Sequence, residues 1–316
     1  MTLRTIAEAV GVSRTTVSNA YNRPDQLAPA LRDRILGTAH ELGYWGPDPA
    51  ARRLRSGRRD AVGLLVSEGL SGTLTDPASV MVLQGIARAT EDAGVALLLV
   101  PERDGVRDAV VDAFCLCSLA AEHPSVAAAR ERGVPLVVVD APRIEGHAFV
   151  GSEDRRGARL AVEHLLALGH RRFALLTTSA VHQDRLAGYR EALEAAGLEC
   201  ARYELAANLP GRGLEGGRLA LAAEPRPTAL IAAADQLALG ALEAASEAGL
   251  RVPDEVSVIG FDDIPGAAWS RPALTTVRQP LLEKGEVAGR LLSDGPDGRE
   301  VILPVQLVVR GSTARA

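Results

Sequence analysis

A chain of 316 residues, 47% of them hydrophobic, is long enough for two or three folded domains and has the composition of a globular protein rather than a disordered one. Its three cysteines, Cys115, Cys117 and Cys200, are too few and too irregularly spaced for a disulfide framework, which predicts a reducing, cytoplasmic location. The sequence has neither a signal peptide nor an apolar run of about 20 residues, so it predicts no export and no insertion into a membrane.

The formal net charge of -5 conceals a strong asymmetry along the chain. Residues 1–59 contain ten arginines and five acidic residues, a net charge of +5, whereas residues 60–316 contain 25 basic and 35 acidic residues, a net charge of -10. A basic segment on an otherwise acidic protein indicates that this segment alone contacts a polyanion.

The first 43 residues have the apolar spacing of three short helices. The first helix begins after Thr2, which can cap it, and ends at Gly11. Ser13 can cap the second helix, and Pro29 fits the first turn of the third, which ends at Gly43.

A proline-rich and arginine-rich segment, YWGPDPAARRLRSGRRD, follows these helices and interrupts their spacing. It predicts a linker over residues 47–59 that contains one short helix, capped by Asp48 and begun by Pro49. Such a linker is a candidate hinge.

Short apolar runs alternate with helical stretches from Val62 onward, and this pattern predicts parallel strands joined by crossover helices in a doubly wound α/β fold. The runs are VGLLVS, VALLLV, FCLCSL, PLVVVDA, FALLTT, TALIAAA and VSVIGFDD. Residues 60–316 exceed one ordinary domain, so two α/β lobes separated by a cleft are expected. Ligands of such sheets bind beyond the carboxyl ends of the strands.

Two cysteines lie in one of these runs. Cys115 and Cys117 are two residues apart, so a strand would place them on the same face. Burial is favoured over a metal or redox role, because no further zinc-ligand pattern accompanies them.

The segment GVSRTTVSNAYNRP carries many polar side chains just after a glycine turn. A helix, a tight turn and a second helix with polar residues at its start are typical of a helix-turn-helix, whose second helix enters the major groove of DNA. Arg14, Thr15 and Asn19 are placed to contact base edges, since arginine pairs with guanine and asparagine with adenine.

The remaining residues of this segment receive other roles. Ser13, Thr16 and Ser18 are expected to contact phosphate groups, which position the protein without specifying sequence. Ala9 and Val17 are expected to face inward. The alternative is an ordinary polar surface helix, but the basic charge and the adjoining hinge favour DNA.

The chain resembles the lactose/galactose-repressor (LacI/GalR) family of bacterial transcription regulators. The motifs that carry the resemblance are TIAEAVGVSRTTVSNAYN, LGY, AARRLRSG, AVEHLLALGHRRFALL, RLAGYREALEAAGL, DQLALGALEAASEAGLRVPDEVSVIGFDD, PALTTVRQP and LPVQLVVRGSTA. The resemblance implies a homodimer that binds a palindromic operator in double-stranded DNA, with a helix-turn-helix head over 1–46, a hinge over 47–59 and a two-lobed effector-binding and dimerisation domain over 60–316. No cofactor is expected, and the lack of an apolar heptad tail favours a dimer over a tetramer.

The resemblance also implies that the hinge folds into a helix on DNA and inserts a leucine into the minor groove. The matching residue is Leu54, which Arg52, Arg53 and Arg55 flank; an apolar wedge bends the duplex while adjacent cations neutralise phosphates. The alternative is that Leu54 is the buried residue of a short linker helix. The full set of predicted DNA contacts is Thr5, Ser13, Arg14, Thr15, Thr16, Ser18, Asn19, Asn22, Ala51, Arg52, Leu54 and Arg55.

The two lobes resemble periplasmic sugar-binding proteins, which close around a small ligand. The family positions correspond to Asp154, Arg185 and Asp262, and such groups supply acceptors and a rigid set of donors to vicinal hydroxyl groups. Taken singly, Asp154 also fits a helix cap, Arg185 a surface ion pair and Asp262 a strand end.

Further effector contacts are less specific. Ala234 stands where the family commonly has asparagine, so the effector, a sugar or a related metabolite, stays open. Phe261, next to Asp262, is the first candidate for stacking on a sugar ring, and Ser67 lies at the end of the first lobe strand. Trp269 is assigned neither to the cleft nor to a dimer contact.

Three classes of function were weighed. A solute-binding receptor without DNA activity would use the same two lobes, but the basic segment and the lack of a signal peptide count against it. An enzyme is not expected, because the sequence has no phosphate loop and no nucleophile motif. The favoured hypothesis is a repressor whose effector closes the lobes and changes operator affinity by about 1–3 kcal/mol, with the sign of the effect left open.

Overall fold

The computed structural model of the protein describes residues 2–46, 59–66, 72–101, 104–119, 122–178 and 183–316. The chain divides into two units, Met1–Arg59 and Asp60–Ala316. Five of the predicted site residues lie outside the described residues, as does the predicted linker helix. These five are Ala51, Arg52, Leu54, Arg55 and Ser67.

The smaller unit consists, within residues 2–46, of short helices. They are α1 (Leu3–Val10), α2 (Arg14–Asn22), a 3-10 turn (Pro24–Gln26) and α3 (Pro29–Glu41). Thr2 accepts a hydrogen bond from the N–H of Thr5 at 3.4 Å, and Ser13 accepts one from the N–H of Thr16 at 3.0 Å. Both N-terminal caps are therefore the residues that the sequence predicts.

A small apolar core joins the three helices. Its buried members are Ile6, Ala7, Val17, Ala20, Ile35 and Ala39. Val17 faces inward as predicted, but the inward orientation predicted for Ala9 is wrong, since this residue is exposed. The buried side of α1 is centred on Ile6 and Ala7, and the helical period of 3.6 residues turns Ala9 away from it.

The larger unit contains two six-stranded sheets. Lobe 1 contains β1 (Ala61–Val66), β2 (Ala96–Leu99), β3 (Ala113–Cys117), β4 (Leu136–Val139), β5 (Ala148–Ser152) and β11 (Glu300–Leu303), in the order β11-β5-β4-β3-β1-β2. Lobe 2 contains β6 (Phe173–Thr177), β7 (Cys200–Glu204), β8 (Ala229–Ala232), β9 (Ser257–Asp262), β10 (Thr275–Arg278) and β12 (Gln306–Val308), in the order β12-β10-β9-β8-β6-β7. Neighbouring strands are parallel except β10 and β12, which confirms the predicted α/β class.

Helices cover these sheets. Those of lobe 1 are α4 (Pro77–Asp92), α5 (Asp104–Asp108), α6 (Pro124–Glu131) and α12 (Leu281–Asp294). Those of lobe 2 are α7 (Asp154–Ala167), α8 (Gln183–Ala195), α9 (Pro210–Leu221), α10 (Asp235–Glu247) and α11 (Pro265–Trp269). The two lobes therefore share one architecture, with crossover helices between parallel strands.

The apolar runs of the sequence form the central strands. Strands β1, β4, β8 and β9 are buried along their whole length, as their composition predicts. Strand β2 differs: it lies at a sheet edge, and Leu98 is exposed. In β3, Cys115 is buried as predicted, but Cys117 is only half-buried, and the two Sγ atoms are 3.5 Å apart.

The chain passes between the lobes at three short connections within the described residues. They join β5 to α7, β10 to α12, and β11 to β12. Lobe 1 consequently receives α12 and β11 from late in the sequence. Ser152 and Gln279, at two of these connections, line the cavity between the lobes.

Candidate functional site

The second helix of the smaller unit carries the polar side chains predicted to contact DNA. Arg14 and Thr15 are exposed at its start, Asn22 is exposed at its end, and Asn19 is half-buried. Positions three and four residues apart share a helix face, so these side chains form one polar surface. Asn19 Nδ2 lies 3.5 Å from Gln26 Oε1, which ties this surface to the 3-10 turn.

Several predicted phosphate contacts form hydrogen bonds within the smaller unit. Ser13 Oγ is 2.9 Å from Thr16 Oγ1, and Ser18 Oγ accepts a hydrogen bond from Asn22 Nδ2 at 3.1 Å. Thr5 is exposed on α1. A phosphate oxygen only accepts, so a hydroxyl must donate its single O–H to bind one. Ser18 accepts from Asn22 and keeps its O–H for a phosphate, whereas one hydroxyl of the Ser13–Thr16 pair donates to the other, which leaves one O–H of that pair for a phosphate.

The larger unit contains a cavity of about 590 Å³ between its lobes. The cavity lies at the carboxyl ends of the strands, where parallel sheets place their ligands. Polar residues of both lobes line it, and they include Asp76, Asp140 and Arg143 from lobe 1, Asp154, Arg185, Asn208 and Asp262 from lobe 2, and Gln279 from a connection.

Three of the predicted effector residues meet in this cavity. Asp154, Arg185 and Asp262 all line it, although they come from three different elements of lobe 2. Arg185 is 3% exposed, and its Nη atoms lie 3.2 Å from Asp154 Oδ2 and 3.5 Å from Asp262 Oδ1. It also donates a hydrogen bond to the carbonyl oxygen of Ala233. The guanidinium group therefore holds two carboxylates at fixed positions in the cavity wall.

Phe261 does not line the cavity. Its side chain is fully buried, and the guanidinium carbon of Arg185 lies 3.7 Å from the centre of its ring. Stacking on a sugar ring is therefore not available to Phe261, because a cation already covers the face of the ring. Successive residues of a strand point to opposite sides, so Phe261 and Asp262 could not both face a ligand.

The predicted effector residue Ala234 and the unassigned Trp269 also lie away from the cavity. Ala234 is buried at the N-terminus of α10 and forms no side-chain cap, and Trp269 is 75% exposed on α11. Asp235, the next residue, accepts hydrogen bonds from the N–H of Ile264 at 3.0 Å and from the hydroxyl of Thr276 at 2.5 Å. This carboxylate holds the backbone just after the end of β9.

Four buried polar atoms in the cavity wall have no hydrogen-bond partner among the described residues. They are Asp76 Oδ1, Asp154 Oδ1, Asn208 Oδ1 and Arg185 Nε. A buried polar atom without a partner is costly in free energy, so a ligand that bonds to these atoms would be stabilised by them. Three of the four are acceptors.

Strained backbone is concentrated at the same place. Ser118, Asp140 and Asp262 line the cavity and have φ values of 53°, 48° and 120°, and Asp263 has 59°. Non-glycine residues rarely adopt positive φ, and such residues persist where the surrounding structure enforces them, often at functional sites. Three carboxyl ends of strands are therefore shaped to present side chains to the cavity.

Burial changes the acid strength of two carboxyl groups of lobe 2, of which Asp262 lines the cavity. Burial raises the pKa of Asp262 to about 7, against the lowering effect of Arg185 and together with the raising effect of Asp76. Burial, and next the charge of Asp262, also raises the pKa of Asp235 well above its usual value. A carboxyl group that titrates near neutral pH lies in the cavity wall.

The free energy of unfolding of the larger unit is expected to fall as the pH rises from about 5 to about 8. The pKa of Asp262 is about 7 in the folded state and about 3.9 in an unfolded chain. The folded state therefore binds an extra proton between these pH values, and its stabilising effect is lost as that proton leaves. In Asp262→Asn the fall in the free energy of unfolding across this pH range should be smaller by about 1–3 kcal/mol than in the wild-type protein. Chemical denaturation at several pH values measures it.

Asp184→Asn is the control for this titration. Asp184 lines the same cavity, but its carboxylate is 55% exposed. Its replacement should leave the pH profile unchanged. An unaltered profile in Asp262→Asn would contradict the raised pKa.

Several cavity residues were not predicted from the sequence. Asp76 and Asn208 supply unpartnered acceptors, and Asp140 and Gln279 line the base of the cavity. An aspartate before a proline at a helix start, as in Asp76, indicates a cap, and Asp76 does accept a hydrogen bond from the N–H of Ser79 at 3.1 Å. Asp76 lines the cavity only because of the fold.

The described residues contain neither a metal-binding cluster nor a membrane-spanning helix. No group of three or more histidine, cysteine or acidic side chains is arranged to hold a metal ion. No helix in the described part of the chain has the length and apolar character needed to span a membrane.

Two parts of the sequence match known protein families. Residues 2–46 match "Bacterial regulatory proteins, lacI family", and residues 162–313 match "Periplasmic binding protein-like domain". The first match coincides with the three helices of the smaller unit, and the second covers most of lobe 2 together with α12 and β11. Both families describe binding modules, and neither describes a catalytic domain.

Similar proteins extend over nearly the whole chain. The HTH-type transcriptional regulator Rv3575c of Mycobacterium tuberculosis is 41% identical over 99% of this chain and 96% of its own length. A lac repressor dimer bound to operator and the anti-inducer ONPF has a TM-score of 0.83 and 29% identity, with 99% of both chains covered. The transcriptional regulator CelR in complex with cellobiose has a TM-score of 0.73 and 30% identity, again with 99% of both chains covered.

Proposed function

Because the chain belongs to the LacI family of bacterial transcription regulators, we propose that it represses transcription as a homodimer on a palindromic operator, under the control of a neutral polyhydroxy effector. Its functional parts are a DNA-binding head over 1–46, a hinge over 47–59 and a two-lobed effector domain over 60–316. The observation that carries the effector assignment is the set of unpartnered polar atoms in the cavity.

The cavity favours a ligand that donates hydrogen bonds. Asp76, Asp154 and Asn208 each present an unpartnered acceptor, whereas Arg185 Nε is the unpartnered donor. Hydroxyl groups donate and accept, so a sugar or another polyol can satisfy all four atoms. A phosphate or carboxylate ligand would place its oxygens against two carboxylates. The CelR relative was solved with cellobiose, which belongs to the favoured chemical class.

The head supports sequence-specific recognition of DNA. Arg14 is exposed at the start of α2, and Asn19 lies five residues later on the same helix. Bidentate pairing of arginine with guanine or of asparagine with adenine contributes about 1–3 kcal/mol of discrimination for each pair. The exposed Arg14 is therefore our principal base contact.

The connections between the lobes support allosteric control. A ligand that contacts both lobes stabilises one arrangement of the lobes over others, and its effect on DNA affinity is reciprocal. We expect a coupling of about 1–3 kcal/mol, or roughly 5-fold to 150-fold in affinity. Titration of operator binding with the effector determines whether the ligand releases DNA or retains it.

Arg14→Ala is expected to lower affinity for the selected operator by roughly 5-fold to 150-fold, while affinity for random duplex falls much less. The operator is first selected from a randomised palindromic library, and binding is then measured by fluorescence anisotropy at several salt concentrations. The matched control is Arg4→Ala on α1, where Arg4 is 77% exposed and pairs with Glu8 at 2.9 Å.

The control separates specific recognition from charge. Both variants remove one positive charge from the head, but only Arg14→Ala removes a base contact. Equal losses on operator and random duplex in Arg14→Ala would show that Arg14 contacts phosphate. If the full-length protein selects no duplex from the library, the proposed function is wrong and a solute-binding role remains.

A further inference from the structure

Lys284 is the single lysine of the chain. The other 34 of its 35 lysine and arginine residues are arginines. Lys284 lies on α12, and its side chain is fully buried. A buried ammonium group is unfavourable unless each of its N–H groups has a partner. The one lysine therefore occupies a position with strict chemical requirements.

Three short hydrogen bonds satisfy this ammonium group. Lys284 Nζ lies 2.8 Å from Asp140 Oδ1, 2.7 Å from Asp140 Oδ2 and 2.6 Å from Gln279 Oε1. An ammonium group has three N–H donors and no acceptor, so all of its donors are used.

These contacts determine the orientation of the Gln279 side chain. Its Oε1 atom accepts from Lys284 and also from the hydroxyl of Ser152 at 3.0 Å. Because Lys284 can only donate, the oxygen of the amide must face it. The amide nitrogen is consequently directed to Asp262, and Nε2 donates to Oδ1 at 2.7 Å.

The side chains ordered in this way belong to the cavity wall. Asp140, Gln279 and Asp262 line the cavity, whereas Lys284 does not. A carboxylate has about four acceptor positions, and Lys284 uses one on each oxygen of Asp140. Asp140 is 30% exposed and thus keeps acceptor positions for a ligand, in an orientation fixed from behind.

The compact shape of the ammonium group explains why lysine occurs here. A guanidinium group is planar and larger, and its five donors match the two parallel oxygens of one carboxylate. Here the side chain of Lys284 is fully buried, and its partners are one carboxylate and one amide oxygen. An arginine side chain would therefore be too large for this space and would have more N–H donors than there are acceptors.

We propose that Lys284 is a positioning residue for effector recognition, which fixes Asp140 as an acceptor and Gln279 as a donor to Asp262. This inference rests on the proposed function of the cavity and adds the group that sets its specificity. The site accordingly discriminates among sugars at the hydroxyl that faces Asp140, through a residue that does not touch the ligand.

The decisive test compares selectivity rather than affinity alone. A panel of neutral monosaccharides and disaccharides, including cellobiose, is first tested against the full-length wild-type protein by calorimetry. The sugar that binds is then compared with its deoxy and epimeric analogues in Lys284→Met, Lys284→Arg and the double variant Lys284→Met/Asp140→Asn. The double variant removes both charges together, so it folds without an unpaired buried carboxylate.

We expect the Kd of the bound sugar to rise at least tenfold in all three variants. For the analogues that are altered at one particular hydroxyl group, the Kd of the analogue divided by the Kd of the sugar should fall toward one in these variants. The matched control is Arg290→Met on the same helix, whose side chain is 57% exposed and pairs only at 4.0 Å with Glu286. It should retain the Kd and the selectivity of the wild-type protein.

A spectroscopic measurement follows the same group directly. Protein labelled with ¹⁵N-lysine has a single side-chain ammonium signal, because the chain has a single lysine. Addition of the sugar should shift this signal, and the shift should disappear in Asp140→Asn.

The outcomes separate the two proposals. If no sugar binds the wild-type protein, the proposed effector class is wrong and the role of Lys284 falls with it. If a sugar binds, and the folded double variant keeps the wild-type Kd and selectivity, only the inference about Lys284 is overturned. Loss of selectivity in the folded Lys284→Arg or Lys284→Met variant, which retains Asp140, supports it.

Discussion

Replacing Arg185 by methionine is expected to abolish effector binding and to destabilise the larger unit. The buried guanidinium group neutralises Asp154 and Asp262 and covers the ring of Phe261. Breaking a buried ion pair by removing one partner typically costs about 3–5 kcal/mol, because an uncompensated charge remains. We expect a Kd increase of at least about 100-fold, equivalent to a loss of about 2.7 kcal/mol or more.

Calorimetric titration with the effector and denaturant unfolding measure the two effects of this change. Arg190→Met is the matched control, since Arg190 lies on the same helix, α8, but is 68% exposed and only 3.8 Å from Glu194. This exposed pair should contribute less than about 1 kcal/mol. Effector binding of wild-type strength in Arg185→Met would contradict the assignment of the cavity.

Gly240→Ala is expected to be the most destabilising small substitution in lobe 2. Helices α9 and α10 pack so closely that a Cβ atom on Gly240 would lie 2.0 Å from the carbonyl oxygen of Pro210 and 2.4 Å from the backbone N of Leu214. Both contacts involve backbone, so the helices themselves would have to separate. Overpacking typically costs about 1–3 kcal/mol, and we expect a loss at or above the upper value.

Gly211→Ala is the control for Gly240→Ala on the same helix pair. A Cβ atom at Gly211, on α9, would meet nothing within 4 Å. Replacing glycine by alanine at an unstrained helix position stabilises the folded protein by about 0.4–1 kcal/mol, because the unfolded chain loses conformational entropy. Denaturant unfolding should therefore shift in opposite directions for the two variants. Equal stability of Gly240→Ala and the wild-type protein would mean that the two helices lie further apart.

Apolar runs in the sequence predicted most of the central strands and missed most of the edge strands. Six of the seven apolar runs correspond to β1, β3, β4, β6, β8 and β9, which occupy central positions in the two sheets, and the seventh, VALLLV, forms β2 at a sheet edge. Strands β7 and β11 lie at sheet edges and alternate with exposed residues, so their composition resembles that of loops. Their place is decided by tertiary pairing rather than by local pattern.

The cavity could be predicted only in part for a related reason. Asp154, Arg185 and Asp262 were assigned because each lies in a motif that resembles the family. Asp76 and Asn208 belong to no such motif, and they reach the cavity through the fold alone. Adjacency to Asp262 suggested Phe261, but alternation along β9 turns its ring into the core.

Lys284 was missed although the sequence carries a signal for it. On an amphipathic helix, a single charged residue is ordinarily assigned to the exposed face. The informative fact is that arginine fills every other basic position of the chain. A residue type that occurs once in the chain, with its side chain buried in the core, indicates that the position requires the particular shape and donors of that residue.

The order in which the chain supplies its elements constrains how the protein is made on the ribosome. Lobe 1 begins with β1 at Ala61 but is completed only by α12 and β11, so its last strand ends at Leu303. A nascent chain of about 280 residues therefore exposes the face of α4 against which α12 packs, including Gly85 and its close backbone contact with Leu282. The first five strands of lobe 2 end at Arg278, so lobe 2 can assemble before α12 and β11, which complete lobe 1, have been synthesised.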